Sequence, residues 1–255
     1  MATDLSRIRY LFADIDDTIS TEGKITLEAY AALWHASEQG LEVVPVTGRP
    51  AGWCDHIARM WPVSGVVGEN GGLYFRMADG KMERVYAHTS DERAGFRKEL
   101  ESIREEILAG VPGTGIASDQ PYREYDLAVD YCEDVERLPP EAVQRIVEIF
   151  ESHGATAKIS SIHVNGWFGD FDKLTMTRRF AEEVFGTPLA GDSAFAFVGD
   201  SPNDEPMFEF FETSIGVANV SDFLDRMTHH PSLVTKASHG AGFAEAVEMI
   251  LRARS

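Results

Sequence analysis

Two aspartates spaced by one residue, Asp14 and Asp16, directly follow an apolar run near the start of the chain. In an extended strand, residues i and i+2 point to the same side, so both carboxylates face one point. Like charges held so close repel each other, and a cation is needed to stabilise them. A hard ion such as Mg²⁺ suits carboxylate oxygens, so the pair predicts a metal-dependent site at the end of a strand.

Polar segments follow three further apolar runs in the same way. They read Val46-Thr47-Gly48-Arg49-Pro50, Gly68-Glu69-Asn70-Gly71-Gly72 and Gly199-Asp200-Ser201-Pro202-Asn203-Asp204. In open α/β sheets, ligands bind beyond the carboxyl ends of the strands. We therefore expect the polar segments to converge at one edge of a sheet and to form a single site.

The residue types in these segments suit a phosphate bound beside a metal ion. Asp14, Asp16 and Asp200 can supply hard oxygen ligands for Mg²⁺, and a phosphate is an anion with oxygens to share with the metal. Thr47 offers a hydroxyl and neighbouring backbone N–H groups near a helix start, which favours anions. Lys173 is the strongest cationic candidate, because it opens a helix.

The last polar segment adds two more candidate residues. Asn203 can donate a neutral hydrogen bond to a phosphate, and Asp204 can hold Lys173 or a metal-bound water in place. A carboxylate can attack phosphorus directly and form an aspartyl phosphate. A second acid two residues on can protonate the leaving oxygen and then deprotonate the water that releases phosphate. The residues therefore predict phosphoryl transfer, with charge neutralised by the metal and the lysine.

The elements that must position these residues alternate between strand and helix patterns. Buried strands are predicted at 9–13, 41–46, 63–67 and 194–198. The first helix is predicted from apolar residues that fall on one helical face, Leu27, Tyr30, Ala31 and Trp34. Gly40 is placed to end that helix. The layout predicts an α/β fold with a doubly wound Rossmann-like core and a parallel sheet.

The pattern changes over residues 87–167, where helix, strand, strand, helix, strand and strand follow one another. We expect an inserted α+β domain there, within a core made of residues 1–86 and 168–255. In its first long strand, apolar residues alternate with Asp126 and Asp130, which predicts a sheet with one solvated face.

Other residues of the insertion have two readings. His163, Asn165 and Trp167 alternate on one strand face and either face a ligand or are half-exposed sheet residues. The segment 122–124 is a loop candidate with the same two readings. The sequence pattern alone does not separate these alternatives.

Composition and charge exclude several classes of partner. The chain has 255 residues and a net charge of -19 with no basic cluster, which argues against nucleic acid and anionic membrane surfaces. Cys54 and Cys132 form no disulfide framework. The sequence shows neither a signal region nor a membrane-spanning run, so we expect a cytoplasmic protein. We also expect it to be a monomer or a small homo-oligomer.

Together these residues resemble the haloacid dehalogenase-like (HAD) phosphatase superfamily. Residues 14–18 resemble its first motif, 46–50 its second, Lys173 its third and 199–204 its fourth. The inserted domain is similar to the cap of subfamily IIB, which includes Cof-type sugar phosphatases, sucrose-phosphate phosphatase and mannosyl-3-phosphoglycerate phosphatase. The segment 68–72 also fits that subfamily.

The resemblance implies a Mg²⁺-dependent phosphomonoester hydrolase with a mobile cap, acting on a sugar phosphate or similar small phosphorylated metabolite. It implies that Asp14 is the nucleophile and Asp16 the general acid and base. The phosphoryl group would be bound by Thr47, Gly48, Arg49, Lys173 and Asn203. Mg²⁺ would be held by Asp14, the backbone carbonyl of Asp16, and Asp200. Asp204 would support these ligands without binding the ion itself.

Two departures from the family pattern stand next to these motifs. Asp17 lies where members often carry Gly or Asn, and Leu174 follows Lys173 where Gly is common. Two other functions use similar residues. A phosphosugar mutase would return an isomerised sugar phosphate, and a signalling module would accept the phosphoryl group without turnover. The length of the insertion and the acid at Asp16 argue against the signalling module.

Overall fold

The computed structural model describes residues 4–160, 162–189 and 194–255. The chain divides into two compact units. The first comprises Met1–Gly48, Cys54–Val85 and Asp172–Ser255, and the second comprises Arg49–Trp53 and Tyr86–Phe171. The role of residues 87–167 as a cap stays a prediction.

The first unit alternates strands and helices along the chain. Up to the second unit, its elements are β1 (Tyr10–Asp14), β2 (Ser20–Thr21), β3 (Lys24–Ile25), α1 (Leu27–Glu38), β4 (Glu42–Val46), α2 (Ala51–Met60), β5 (Val66–Gly68), β6 (Leu73–Ala78) and β7 (Lys81–Tyr86). The second unit contains α3 (Ser90–Gly110), β8 (Gly115–Ile116), β9 (Leu127–Asp130), α4 (Pro140–Ser152), β10 (Thr156–Ile159) and β11 (His163–Trp167). The chain then returns to the first unit with α5 (Lys173–Phe185), β12 (Phe195–Gly199), α6 (Glu205–Phe210), β13 (Thr213–Gly216), β14 (Leu233–Val234) and α7 (His239–Arg254).

An eight-stranded sheet forms the centre of the first unit, in the order β14-β13-β12-β1-β4-β5-β6-β7. β1 pairs in parallel with β12 on one side and with β4 on the other, and β6 runs antiparallel to β5. The predicted α/β core with a parallel sheet is confirmed. Because the chain order reverses at β1, the carboxyl ends of β1, β4 and β12 meet at the crevice where ligands of such sheets bind.

Helix α1 packs on the sheet through small side chains. Its buried residues are Ala29, Ala32, Leu33 and Ala36, and they lie against α7 and β4. The apolar face that predicted this helix lies on the opposite side, with Leu27 and Trp34 exposed. The spacing therefore indicated a helix correctly, but the face that it marked is not the one packed on the core.

The second unit carries a four-stranded antiparallel sheet in the order β10-β11-β9-β8. One face of this sheet packs against α3 and α4 through a continuous apolar core that includes Ile103, Ile107, Val129, Phe150 and Val164. Thr89 and Glu92 form a capping box at the start of α3, which satisfies backbone N–H groups of its first turn.

The other face of β9 is not solvated, so that expectation was wrong. Asp126 and Asp130 are both buried. Asp126 accepts hydrogen bonds from Arg123 at 2.9 Å and from the Asn165 amide at 2.8 Å. Asp130 accepts backbone N–H bonds from residues 132–134. Local partners thus satisfy each carboxylate, which an alternating pattern cannot reveal.

Burial also decides between the two readings of the β11 residues. His163, Asn165 and Trp167 are buried, which contradicts the half-exposed alternative. Cys54 and Cys132 are both free thiols. Within residues 4–160, 162–189 and 194–255, no helix is long and apolar enough to cross a membrane.

Candidate active site

Asp14 is the last residue of β1, and the chain turns sharply after it. Asp16 has φ -73° and ψ 124°, whereas Asp17 adopts the left-handed conformation with φ 58° and ψ 11°. Gly and Asn enter this conformation most readily, which explains why a family motif favours them at this place. The Asp17 N–H donates to the Ser20 hydroxyl at 3.2 Å, which stabilises the turn.

Lys173, the first residue of α5, joins two carboxylates. Its Nζ lies 2.6 Å from Asp14 Oδ1 and 3.1 Å from Asp204 Oδ1. These groups lie 159 and 31 residues away from it along the chain. The Asp172 carboxylate accepts the Thr175 N–H at 2.6 Å and so caps the start of α5, which holds the Lys173 stem in place.

The loop after β5 also supports the start of α5. Gly71 has φ 102°, and a Cβ built on it would lie 2.0 Å from the carbonyl oxygen of Asp172. Only a residue without a side chain permits so close an approach. The glycines of the predicted segment 68–72 therefore serve to bring the backbone of this loop against Lys173.

Asp200 follows β12 and is held by its neighbours. Its backbone N–H donates to Asp204 Oδ2 at 3.0 Å, and its Oδ1 accepts from the Thr18 hydroxyl at 3.3 Å. A Cβ on Gly199 would lie 2.5 Å from Asp204 Oδ2, so a glycine is needed there. Both oxygens of Asp204 are thus used, one for Lys173 and one for the backbone of Asp200, which suits the supporting role predicted for it.

Asp14, Asp200 and Asp204 form a buried acidic cluster in the part of the chain that the structure describes. Their carboxylate oxygens lie within 4.8 Å of one another. Burial raises the pKa of Asp14 to about 8, an effect that Lys173 opposes and Asp204 and Asp16 reinforce. Burial and the neighbouring Asp204 likewise raise the pKa of Asp200 to about 9.

Burial acts on the pKa of Lys173 in the opposite direction from its effect on the carboxyls. Burial alone would lower the pKa of Lys173, but Asp14 and Asp204 together hold it above its ordinary value. The ammonium therefore stays charged at neutral pH. One fixed positive charge faces three carboxylates, and the resulting negative excess is the condition under which a hard divalent cation binds. The donor set of buried carboxylate oxygens fits Mg²⁺.

Thr47 and Gly48 lie at the end of β4, beside β1. Thr47 is buried, and its N–H donates to the Val67 carbonyl at 2.9 Å within the sheet. Its hydroxyl, not its own amide, is therefore what it can present to an anion. A Cβ on Gly48 would lie 3.0 Å from the Asn70 side chain, so the loop after β5 approaches closely here as well.

The remaining predicted residues lie outside the acidic cluster. Asp16 is half-buried, and the predicted metal role uses only its backbone carbonyl. Asn203 is exposed in a short helical turn before α6. Arg49 belongs to the second unit, where its guanidinium lies 4.6 Å from the centre of the Trp53 ring. The structure thus joins Asp14, Lys173, Asp200 and Asp204 by short contacts.

Sequence reasoning missed a second layer of polar residues around Asp200. The Asn219 amide donates to Asp200 Oδ2 at 3.2 Å and to the Asp17 carbonyl at 3.1 Å. Its own oxygen accepts the backbone N–H of His239 at 2.9 Å. A single asparagine therefore ties the Asp17 turn, Asp200 and the start of α7 together. Its position three residues after the end of β13 was the available signal, because polar residues at strand ends gather at the site.

A family model described as haloacid dehalogenase-like hydrolase matches residues 11–106 of this chain. Over those residues this chain is similar to haloacid dehalogenase-like hydrolases. The matched region contains the first two predicted motifs and the loop at 68–72, so the predicted family resemblance is confirmed.

Two curated relatives that match this chain over nearly their whole length are named as phosphatases. A phosphoglycolate phosphatase of Methanothermobacter thermautotrophicus is 28% identical over 96% of this chain and 99% of the relative. A phosphoglycolate phosphatase of Methanobrevibacter smithii is 24% identical over 92% of this chain and 95% of the relative. The predicted enzyme class, a phosphatase, is confirmed.

Solved structures share the fold of this chain. A crystal structure from Thermoplasma acidophilum superposes with a TM-score of 0.73 at 21% identity and covers 95% of this chain and 98% of that one. The sucrose-phosphatase of Synechocystis, solved with sucrose and phosphate, gives a TM-score of 0.64 at 16% identity and covers 96% and 98%. At these identities the likeness concerns the fold.

Proposed function

We propose that this HAD-like hydrolase is a Mg²⁺-dependent phosphomonoester hydrolase that forms an aspartyl phosphate on Asp14. The observation that carries the proposal is the Lys173 ammonium, which lies 2.6 Å from Asp14 Oδ1 and 3.1 Å from Asp204 Oδ1. A cation at this distance from a strand-end carboxylate can hold a phosphoryl oxygen next to the attacking group.

Asp14, Asp200 and the backbone carbonyl of Asp16 are the residues that would hold Mg²⁺. When bound, the ion supplies positive charge that polarises the phosphoryl group and lowers repulsion between anions. Thr18 and Asn219 hold the two oxygens of Asp200 in place, at 3.3 and 3.2 Å. Such supporting hydrogen bonds orient metal ligands and raise their affinity.

In the first step, a carboxylate oxygen of Asp14 attacks the phosphorus of the substrate. A bond forms between that oxygen and phosphorus, and the bond from phosphorus to the ester oxygen breaks. Asp16 in its protonated form gives its proton to the leaving oxygen, so an alcohol departs. Lys173 and the hydroxyl of Thr47 stabilise the charge on the transferring group.

In the second step, water attacks the phosphorus of the aspartyl phosphate. Asp16, now ionised, takes a proton from this water, and the bond between phosphorus and the Asp14 oxygen breaks. Inorganic phosphate leaves, and both aspartates return to their starting states. The two steps balance without any further reactant, so turnover needs only substrate and water.

Phosphoglycolate is the first substrate to test, since both curated relatives carry the name phosphoglycolate phosphatase. Small sugar phosphates come next, because the fold is shared with a sucrose-phosphatase. The second unit is proposed to act as a cap that selects the leaving group and excludes bulk water. The cytoplasmic location stays a prediction.

The test is a phosphate-release screen over phosphoglycolate, sugar phosphates, glycerate phosphates and nucleotides, with Mg²⁺ and with a chelator. We expect release from a small phosphomonoester with Mg²⁺ and its loss with the chelator or with Asp14→Asn. Asp17→Asn is the matched control, because it removes an adjacent charge and keeps a residue that tolerates the left-handed backbone.

Three results would contradict the proposal. Activity that survives Asp14→Asn would exclude the covalent step. An isomerised sugar phosphate with little free phosphate would identify a mutase. A stable phosphoprotein that does not release phosphate would identify the signalling module.

A further inference from the structure

The outward side of α1 exposes an apolar surface, which we call the α1 ridge and define as Leu27, Ala31 and Trp34. Leu27 is 87% exposed and Trp34 is 49% exposed. Met60, at the end of α2, is 61% exposed and extends the ridge. The Tyr30 hydroxyl donates to the Met60 carbonyl at 3.1 Å, so the end of α2 lies beside α1.

A helix that is apolar on both sides is normally covered on both sides. The inner side of α1 is covered by the first unit through its alanines and Leu33. Between Leu27 and Trp34, Glu28 is the single charged residue. Glu38, four residues after Trp34, ends this apolar stretch with an exposed charge on the same side of the helix. The two apolar turns before it indicate a second packing partner.

The spacing of the ridge favours another helix as that partner. Leu27, Ala31 and Trp34 are separated by four and then three residues, which is the repeat of a helix–helix seam. In an antiparallel pair of α1 helices, Leu27 of one copy lies opposite Trp34 of the other. Ala31 then lies near the two-fold axis, where a small side chain allows the helices to approach.

Area and charge also favour a second copy of this chain. The exposed parts of Leu27, Trp34 and Met60 together amount to on the order of 400 Å² per copy. That is enough for the apolar centre of an interface of about 800 Å² per partner. The overall charge of -19 opposes self-association. The ridge residues are themselves uncharged, although the exposed Glu28 and Glu38 flank them, so the ridge is a place where two copies can meet.

We propose that the α1 ridge is the interface of a two-fold symmetric homodimer in which α1 packs antiparallel against α1 of a second copy. The proposal concerns assembly and does not rest on the proposed chemistry. The interface is self-complementary, because Leu27 and Trp34 exchange places across the axis.

Sedimentation velocity of the full chain between about 1 and about 100 µM tests the proposal. We expect a monomer–dimer equilibrium that strengthens with added salt, because salt screens repulsion between acidic copies. Leu27→Glu should weaken the dimer at least about tenfold. Leu108→Glu is the matched control, since Leu108 is 42% exposed on α3 of the second unit. The control should leave the equilibrium unchanged.

A cross-linking experiment gives an independent readout. Ala31→Cys should form a disulfide-linked dimer under mild oxidation, whereas Ser102→Cys on the exposed side of α3 should not. A thermal melt of each variant shows that it is folded. A chain that stays monomeric over the whole range would overturn the proposal. So would a dimer that Leu27→Glu leaves intact, or one that salt weakens.

Discussion

Each unit of this hydrolase buries a cluster of charged side chains, and the two clusters differ in how completely their charges are matched. In the second unit, Arg123 contacts Asp119 and Asp126 through two pairs of bonds, all at 2.9 Å. The Asn165 amide completes that network. In the first unit, Lys173 contacts Asp14 and Asp204 of an acidic cluster of three carboxylates, and it is the one cation paired with that cluster in the part of the chain that the structure describes.

The comparison teaches how to separate a structural ion network from a reactive site. A planar guanidinium can bind two carboxylates with matched geometry, and the arrangement then needs nothing further. An ammonium is a point charge with fewer bonds, and it leaves two acids of the first cluster with raised pKa values near 8 and 9. Perturbed acids in a strand-end crevice indicate function. The predictions below test that division.

Replacing Lys173 should have the largest effect, which is a loss of activity. Lys173→Met removes the cation that stabilises the transferring phosphoryl group. We expect phosphate release to fall by about a hundred- to a thousandfold. Lys236→Met, at an exposed lysine of the same unit, is the control and should keep wild-type activity. Equal activity of the two variants would remove Lys173 from the mechanism.

Replacing Arg123 should instead lower the stability of the protein. Arg123→Met leaves the buried Asp126 and the partly buried Asp119 without a counter-charge, which costs about 3–5 kcal/mol. Arg97→Met is the matched control, because Arg97 is 64% exposed and pairs with Glu124 at 3.6 Å. Its effect should stay within about 1 kcal/mol. Calorimetric melting of both variants checks this, and similar melting temperatures would show that the second cluster is not a structural network.

Replacing an aspartate by asparagine should change the free energy of unfolding in opposite directions in the two clusters. Without metal, Asp200→Asn should raise the free energy of unfolding by about 1–3 kcal/mol, because it removes a charge that burial penalises. Asp126→Asn should lower it by a similar amount, because Arg123 loses a charged partner. Urea unfolding with a chelator measures both. A loss of stability in both variants would mean that the first cluster is as well matched as the second.

The difference in the free energy of unfolding between Asp200→Asn and the unsubstituted protein should depend on pH. The raised pKa values of Asp14 and Asp200 mean that the folded protein holds their protons more tightly than the unfolded chain does. Their contribution to stability is full below the unfolded pKa near about 4 and is lost as the pH rises through the folded values. The gain in the free energy of unfolding that Asp200→Asn brings should therefore grow between about pH 5 and about pH 8. A constant difference over that range would contradict the shifts.

Replacing the two amides should have the smallest effect. Asn219→Ala removes the bonds to Asp200 and to the Asp17 carbonyl, so the Mg²⁺ concentration for half-maximal activity should rise about tenfold. Asn165→Ala, its counterpart beside Asp126, should leave that concentration unchanged. Titration of activity with Mg²⁺ distinguishes them. An equal shift in both variants would show that the second cluster also senses the metal.

The sequence was most informative where backbone geometry and residue type are linked locally. Aspartates after an apolar strand and the Gly199-Asp200 step act through short-range constraints. Asp17 belongs here too, since its left-handed backbone at φ 58° is a property of the turn itself. These local features were enough to predict the α/β core, the family resemblance and the phosphatase class.

Other features depend on residues that are distant along the chain, so no local pattern contains them. Asn219 reaches the Asp17 carbonyl across 202 residues, and it went unnoticed. Asp126 and Asp130 alternate like residues of a solvated face, yet each is buried by partners that only the fold supplies. The apolar spacing of α1 likewise indicated a helix but not which side packs on the sheet.

The sequence by itself determined which residues can do the chemistry and in what order they follow the strands, because a strand end, a tight turn and a helix start are local structures. Only the tertiary structure decided how their charges combine. Lys173 is brought to Asp14 across 159 residues, and burial then makes one ammonium insufficient for three carboxylates. Charge balance inside a protein is a property of the packed cluster, because burial and long-range contacts set the energy of each ionised group.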